Sequence, residues 1–146
     1  MKGRYILLLM AALSGSLMAI QGTFNSLLGK IIGLLESTFS VHLIGTMTAG
    51  VLLLLLGNGS FAKASQVPWF AWLGGPIGVA IIFGVAFSIP KLGVGVATTA
   101  IIAAQLFTAY LIDHFGLFGM ERIPFNFLKL GGTVLIIIGA KLLLDK

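Results

Sequence analysis

The sequence contains no cysteine and little charge, and both absences limit what the protein can be. Without cysteine there is no disulfide, no thiolate nucleophile and no cysteine-ligated metal. Charged residues make up 9% of the 146 residues and hydrophobic residues 58%, whereas a soluble domain carries roughly 25% charged residues. Because so little polar surface is available, we expect the chain to lie in a membrane.

Recognisable catalytic and nucleic-acid-binding patterns are also missing. The sequence has no HExxH motif, no Walker loop and no GxGxxG after a strand. Its two histidines, His42 and His114, are too far apart in sequence to indicate a local metal site. The net charge of +5 comes from single basic residues at the ends of apolar runs, where their side chains reach lipid head groups. We therefore predict no enzyme, no cofactor, no metal and no nucleic-acid partner.

Five apolar runs fill almost the whole chain. A membrane-spanning helix needs about 20 mostly apolar residues, and runs of this kind cover residues 5–28, 36–56, 69–89, 94–112 and 124–144. They do not alternate polar with apolar residues as membrane strands would. The first run is longer than the core of a signal peptide, so we expect it to be a retained helix. The pattern predicts an all-α membrane protein with five transmembrane helices, short loops and a single domain over residues 1–146.

Lysine and arginine do not decide the orientation of these helices. In the predicted topology, the N-terminal side carries Lys2, Arg4, Lys63 and Arg122, and the opposite side carries Lys30, Lys91, Lys141 and Lys146. Lys129, near the start of the fifth span, changes the count only to five against four. Cytoplasmic loops normally carry an excess of these residues. The balance has two explanations that the count cannot separate: chance, or insertion of identical chains in both orientations.

Three polar residues of the first span share one helical face. Ser14, Gln21 and Asn25 are spaced by seven and four residues, which places them in one stripe. Amide side chains in hydrocarbon need hydrogen-bonding partners. Two interpretations stay open: bonds to a neighbouring helix, or the wall of a polar cavity that contacts a substrate.

The second span opens with polar and titratable residues. Glu36 and Ser40 share a face, and Glu36 is explained by the favourable position of an acid at a helix N-terminus. A deeper position would instead suit Glu36 to exchange a proton or another cation. His42 is explained by packing, although histidine changes charge near neutral pH and is therefore a candidate for pH coupling.

The fourth span carries one large polar side chain, Gln105, and ends with Asp113 and His114. These last two residues mark the aqueous boundary, or Asp113 pairs with Arg122 across the connector. Small residues also recur at a spacing of four, as in the pairs Gly15–Ala19 and Gly74–Gly78. Such pairs let helices approach closely in lipid, within one protomer or between two.

Several segments together resemble the YdcZ family, a five-helix branch of the drug/metabolite transporter superfamily. They are PWFAWLGG at 68–75, QGTFN at 21–25, PKLG at 90–93, Gln105–Leu106 and IDHFG at 112–116. The glycine-rich ending from Gly119 is similar to the close of one EamA-type repeat. Two departures are Phe70, where a second tryptophan is common, and Ala104, where glycine often precedes the glutamine.

The resemblance implies an inner-membrane transporter or exporter that works as an antiparallel, dual-topology homodimer. Its implied partners are a small-molecule substrate, protons or another coupling ion, membrane lipid and a second copy of the chain. Small multidrug resistance relatives carry an acid in the middle of the first span, where this chain has Gln21 and Asn25. Coupling through a central glutamate is therefore not carried over, and Glu36 is a separate hypothesis.

The predicted function is secondary transport of small organic molecules, of a cationic or amphipathic kind, by alternating access. The candidate substrate-binding or coupling residues are Gln21, Asn25, Glu36, Ser40, His42, Gln105 and Asp113. Two alternatives remain open at this point: a small dual-topology ion channel, and a membrane subunit that transports nothing.

Overall fold

The computed structural model describes residues 2–124 and 126–144, and all regular structure in this part of the chain is helical. The five α-helices are α1 (Lys2–Ile32), α2 (Leu34–Leu56), α3 (Gly74–Leu92), α4 (Val94–Phe115) and α5 (Phe127–Leu144). Short 3₁₀ helices lie at Phe61–Gln66, Trp69–Leu73 and Leu117–Gly119. The predicted all-α architecture is confirmed.

Four of these helical segments are long and apolar enough to cross a membrane: Gly3–Ile32, Leu34–Leu56, Trp69–Leu92 and Val94–Phe115. The apolar part of α5 is shorter, at Gly131–Leu143. Helix α5 also begins later than its predicted span, because residues 122 and 123 are tied back to the end of α4. The Ile123 N–H donates to the Asp113 carbonyl at 2.8 Å.

Other helix ends also differ from the predicted spans, most clearly at the ends of α1 and α3. Helix α1 continues through most of the predicted connector and stops only at Gly33. Helix α3 continues through Pro90 to Leu92 instead of ending near residue 89. The chain divides into two compact units, one ending at Lys91 and one beginning at Leu92. A single domain over residues 1–146 stays a prediction.

The connection between α1 and α2 is one glycine with a backbone that other residues rarely adopt. Gly33 has φ 107° and ψ 151°, a region that is essentially restricted to glycine. Its carbonyl accepts the first hydrogen bond of α2, from the Ser37 N–H at 2.9 Å. Gly93, before α4, has nearly the same backbone, with φ 85° and ψ 156°.

Small and polar residues form the interior of the first unit. Asn25 and Ser26 of α1 and Ser37 and Thr38 of α2 are all buried. Large apolar side chains such as Leu54 are exposed instead. This distribution is the reverse of a soluble domain and suits a protein whose outer surface contacts lipid, where close packing of small residues holds helices together.

Helix α3 packs tightly against α1 at Gly22. A Cβ placed there would lie 2.8 Å from Val85 Cγ1 and 3.1 Å from Ile89 Cδ1. At Gly29, a Cβ would lie 3.0 Å from Leu34 Cδ2 of α2. The two glycines and Ser26 between them therefore form the face of α1 against which the other helices of this unit pack.

Candidate functional site

A hollow of about 440 Å³ lies along α1. Its lining residues all come from this helix: Ser14, Leu17, Met18, Ile20, Gln21, Phe24 and Asn25. Helical periodicity brings them to one face, because residues separated by three, four and seven positions are neighbours on a helix. The structure thus brings Gln21 and Asn25 together in one hollow with apolar walls.

Asn25 is the most deeply placed polar residue of this hollow. It is 4% exposed, and its backbone carbonyl accepts a hydrogen bond from the Ser37 hydroxyl of α2 at 3.1 Å. Its side-chain amide has no hydrogen-bond partner within the described residues. Because Asn25 lines the hollow, this unbonded amide is available to contact a molecule that enters it.

The other polar groups of the hollow differ in whether they are free to form a hydrogen bond with a ligand. The Ser14 hydroxyl donates to the Met10 carbonyl of its own helix at 2.9 Å. Gln21 is exposed, and its amide is not bonded to any described residue. Each amide presents both donors and an acceptor. Gln21 and Asn25 therefore supply the hydrogen-bonding capacity of this hollow.

Glu36 lies in the first turn of α2 and is exposed. Its carboxylate folds back against Gly33 and occupies the space where a side chain at that position would lie. The negative group thus sits at the positive end of the α2 dipole. This position is close to the end of the helix rather than deep within the span.

Ser40 and His42 both bond to carbonyls of their own helix. The Ser40 hydroxyl donates to the Glu36 carbonyl at 2.7 Å. His42 Nδ1 lies 2.8 Å from the Thr38 carbonyl, and because a carbonyl can only accept, Nδ1 must carry the proton. In neutral His42 the acceptor is then Nε2, which would lie 3.7 Å from a Cβ placed at Gly78 of α3.

Gln105 and Asp113 belong to the second unit. Gln105 is exposed on α4, and Asp113 is half-buried at the end of that helix. The predicted pair between Asp113 and Arg122 is wrong: Arg122 Nε donates instead to the His114 carbonyl at 3.0 Å. The arginine caps the exposed carbonyls at the end of α4, which a cation does favourably.

The described residues do not form a recognisable metal site. No group of three or more histidine, aspartate or glutamate side chains comes together there in a way that could hold a metal ion.

A comparison with known protein families identifies the family of this chain. A family model described as "Putative inner membrane exporter, YdcZ" matches residues 6–142. The chain belongs to the YdcZ family. No curated protein and no solved structure matches it. As a YdcZ protein with several membrane-capable helices, it is a multi-pass protein of the inner membrane, and its family supports a transport role rather than an enzymatic one.

Sequence reasoning missed the packing residues of this YdcZ protein. It singled out Gly15 and Gly74, around which the structure leaves open space. It did not single out Gly22 or Ser26, which lie where α1 meets its neighbours. The available signal was the spacing of the small residues Gly22, Ser26 and Gly29. Like the pair Gly15–Ala19, these residues recur about once per helical turn, here over two turns.

Proposed function

We propose that this protein is a secondary transporter that exports small organic molecules, and that the hollow on α1 is part of its substrate site. The observation that carries the proposal is Asn25, a buried residue that lines the hollow and whose amide has no hydrogen bond to the described part of the chain. Family membership supports the transport role.

The chemistry of the hollow defines the class of substrate. Phe24 and Leu17 give it apolar walls, and Gln21 and Asn25 give it hydrogen-bonding groups. A volume of about 440 Å³ falls within the range of small-molecule sites. No charged side chain lines the hollow, so the expected substrate is amphipathic, with a polar group that fits two amides. A cationic substrate would need its counter-charge from elsewhere.

The working unit in this proposal is an antiparallel homodimer. Many transporters place the substrate between two inverted repeats, so that each side of the membrane is reached in turn. A chain with one copy of the repeat gains this symmetry by pairing with an oppositely inserted copy. The balanced lysines and arginines support insertion in both orientations. Glu36 is the proposed carrier of the coupling proton or other cation, assisted by His42.

The substrate site is tested by ligand binding to the purified protein. A screen of amphipathic compounds should identify ligands that raise the melting temperature, because ligands that bind the native state stabilise it. Replacing Asn25 with leucine should weaken the binding of such a ligand about five- to tenfold, the equivalent of one lost hydrogen bond.

The matched control is Ser16→Ala on the same helix. Ser16 is absent from the hollow, and its hydroxyl bonds to the Ala12 carbonyl at 3.2 Å. Ligand affinity should be unchanged in this variant. If Asn25→Leu folds and binds every ligand as the unaltered protein does, the hollow is not the substrate site.

A further inference from the structure

A second cavity lies at the end of the first unit where α1 and α3 finish and α2 begins. Its volume is about 220 Å³, and the residues that matter for its chemistry are Ser26, Lys30, Leu34, Phe87 and Lys91. It shares no residue with the hollow on α1. The substrate site described above therefore does not account for it.

Ser26 lines this cavity, and its hydroxyl forms no hydrogen bond with a described residue. Ser26 is 3% exposed. Other helical serines of the chain, such as Ser14 and Ser88, bond to the carbonyl four residues earlier. Ser26 does not use this option. Because the residue is almost fully buried and its hydroxyl is not bonded to the helix, this group is suited to a ligand that enters the cavity.

Two lysines, Lys30 and Lys91, line the same cavity. The Nζ of Lys91 lies 3.3 Å from the centroid of the Phe87 ring, which holds this cation at the cavity wall. Neither Lys30 nor Lys91 forms an ion pair with any described residue. Glu36 is the only acid in residues 1–91, and its carboxylate lies against Gly33. The cavity therefore has a surplus of positive charge.

The start of α2 also borders this cavity, with the Glu36 carboxylate lying at the same helix end. Leu34, the first residue of this helix of 23 residues, lines the cavity. The N–H groups of a first helical turn have no partner within the helix and carry partial positive charge. They are a common binding site for phosphate groups. The Ser26 hydroxyl and the two lysines favour the same kind of ligand, while the Glu36 carboxylate offsets part of the positive charge at the helix N-terminus.

We propose that this cavity binds a phosphate group, with the Ser26 hydroxyl donating to it and Lys30 and Lys91 balancing its charge. The cavity lies at helix ends, where lipid head groups are found. An anionic phospholipid is one source of the phosphate, and a soluble phosphate is the other. The proposal does not depend on the transported substrate.

The test uses the full-length protein in detergent, titrated in parallel with phosphatidylglycerol, with phosphatidylcholine and with inorganic phosphate. Native mass spectrometry measures lipid adducts, and thermal denaturation measures binding of either ligand. The double variant Lys30→Gln with Lys91→Gln should weaken phosphatidylglycerol or phosphate binding roughly 25-fold, about fivefold for each lysine. The control is Lys63→Gln, which changes an exposed lysine outside the cavity and should have no effect.

Ser26→Ala gives a second, more conservative measurement that leaves both lysines in place. It should weaken binding about fivefold through one lost hydrogen bond. Selective stabilisation by phosphatidylglycerol assigns the site to a lipid, and stabilisation by inorganic phosphate alone assigns it to a soluble ligand; both support the proposal. Equal binding of the two lipids that is weakened by the double variant and by Ser26→Ala assigns the site to the phosphate group that both lipids share. Binding of either lipid that neither variant weakens, with no effect of inorganic phosphate, overturns the proposal. The proposal is also overturned if Lys63→Gln weakens phosphatidylglycerol or phosphate binding as much as the double variant does.

Discussion

Polar side chains of α1 and α2 serve three different purposes, and only one of them is open to a substrate. Ser14 and Ser40 bond to their own helix, and Ser37 joins the two helices through the Asn25 carbonyl. Gln21 and Asn25 keep unbonded amides in the described structure. Helical periodicity was enough to predict that these two amides share a face. It was not enough to predict which serines are already bonded, because that depends on neighbouring backbone.

Glu36 has two different interpretations: a charge that stabilises the N-terminus of α2, or the carrier of a coupling proton. As the proposed carrier, Glu36→Gln should abolish pH-driven exchange of a bound substrate in liposomes, because the amide cannot exchange a proton. Ligand binding itself should survive, since Glu36 does not line the hollow. Exchange driven by a proton gradient and binding at equilibrium are the two measurements.

Glu121→Gln is the matched control for this experiment. Glu121 is also exposed but lies in the connector before α5. Exchange should be unaffected by its replacement. A Glu36→Gln protein with normal exchange and a slightly lowered melting temperature would identify Glu36 as a charge that only stabilises the α2 N-terminus, by about 0.3–1 kcal/mol.

At the scale of whole helices, glycine spacing indicated which residues allow close approach but not which of them are used. The pairs Gly15–Ala19 and Gly74–Gly78 were predicted contacts. Gly15 and Gly74 have open space around them, while Gly78 lies near His42. A tight contact between α3 and α1 lies instead at Gly22. A single sequence gives the period of each helix but not the rotation of one helix against another, which is why Gly22 was missed.

Gly22→Ala and Gly78→Ala should have opposite effects on stability. At Gly22 the added methyl meets Val85 Cγ1 at 2.8 Å, and overpacking of this kind costs about 1–3 kcal/mol. At Gly78 the nearest atom is His42 Nε2 at 3.7 Å, an ordinary contact. Alanine there gains about 0.5–1 kcal/mol from helix propensity.

Thermal unfolding followed by the fluorescence of Trp69 and Trp72 measures both variants in the same detergent. Gly22→Ala should melt below the unaltered protein, and Gly78→Ala at the same temperature or above it. If both variants melt alike, the contact between α1 and α3 at Gly22 is not tight.

For the whole molecule, we predict that changing a few charged residues shifts the orientation in which the chain inserts into the membrane. Asn58→Lys with Ser60→Lys adds two cations to the connector between α2 and α3. Arg4→Gln with Lys63→Gln removes two from the same side. Because the natural count is balanced, each pair should commit the chain to one orientation, and in opposite senses.

Fusions of the C-terminus to reporters active on one side of the membrane measure the orientation. The unaltered protein should give signal on both sides. Each biased variant should lose transport when expressed alone, and expressing the two together should restore it. The uncharged pair Asn58→Gln with Ser60→Thr is the control. A single orientation for the unaltered protein would contradict dual topology.

Helix number and membrane location could be predicted because they depend on composition and run length, which one sequence contains in full. The ends of the helices were harder to predict. Pro90 was expected to break the chain, yet α3 continues through it, because a helix end depends on hydrogen bonds that sequence alone does not locate. The start of α5 was also missed, since the Ile123–Asp113 bond joins residues of two different elements.

A single glycine joins α1 to α2, and the bond from Ser37 to Asn25 shows that the two helices run back along each other. A connector of one residue does not allow the two helices to move far apart. We therefore expect α1 and α2 to enter the membrane together as one helical hairpin, so that the orientation of both helices is set in a single step.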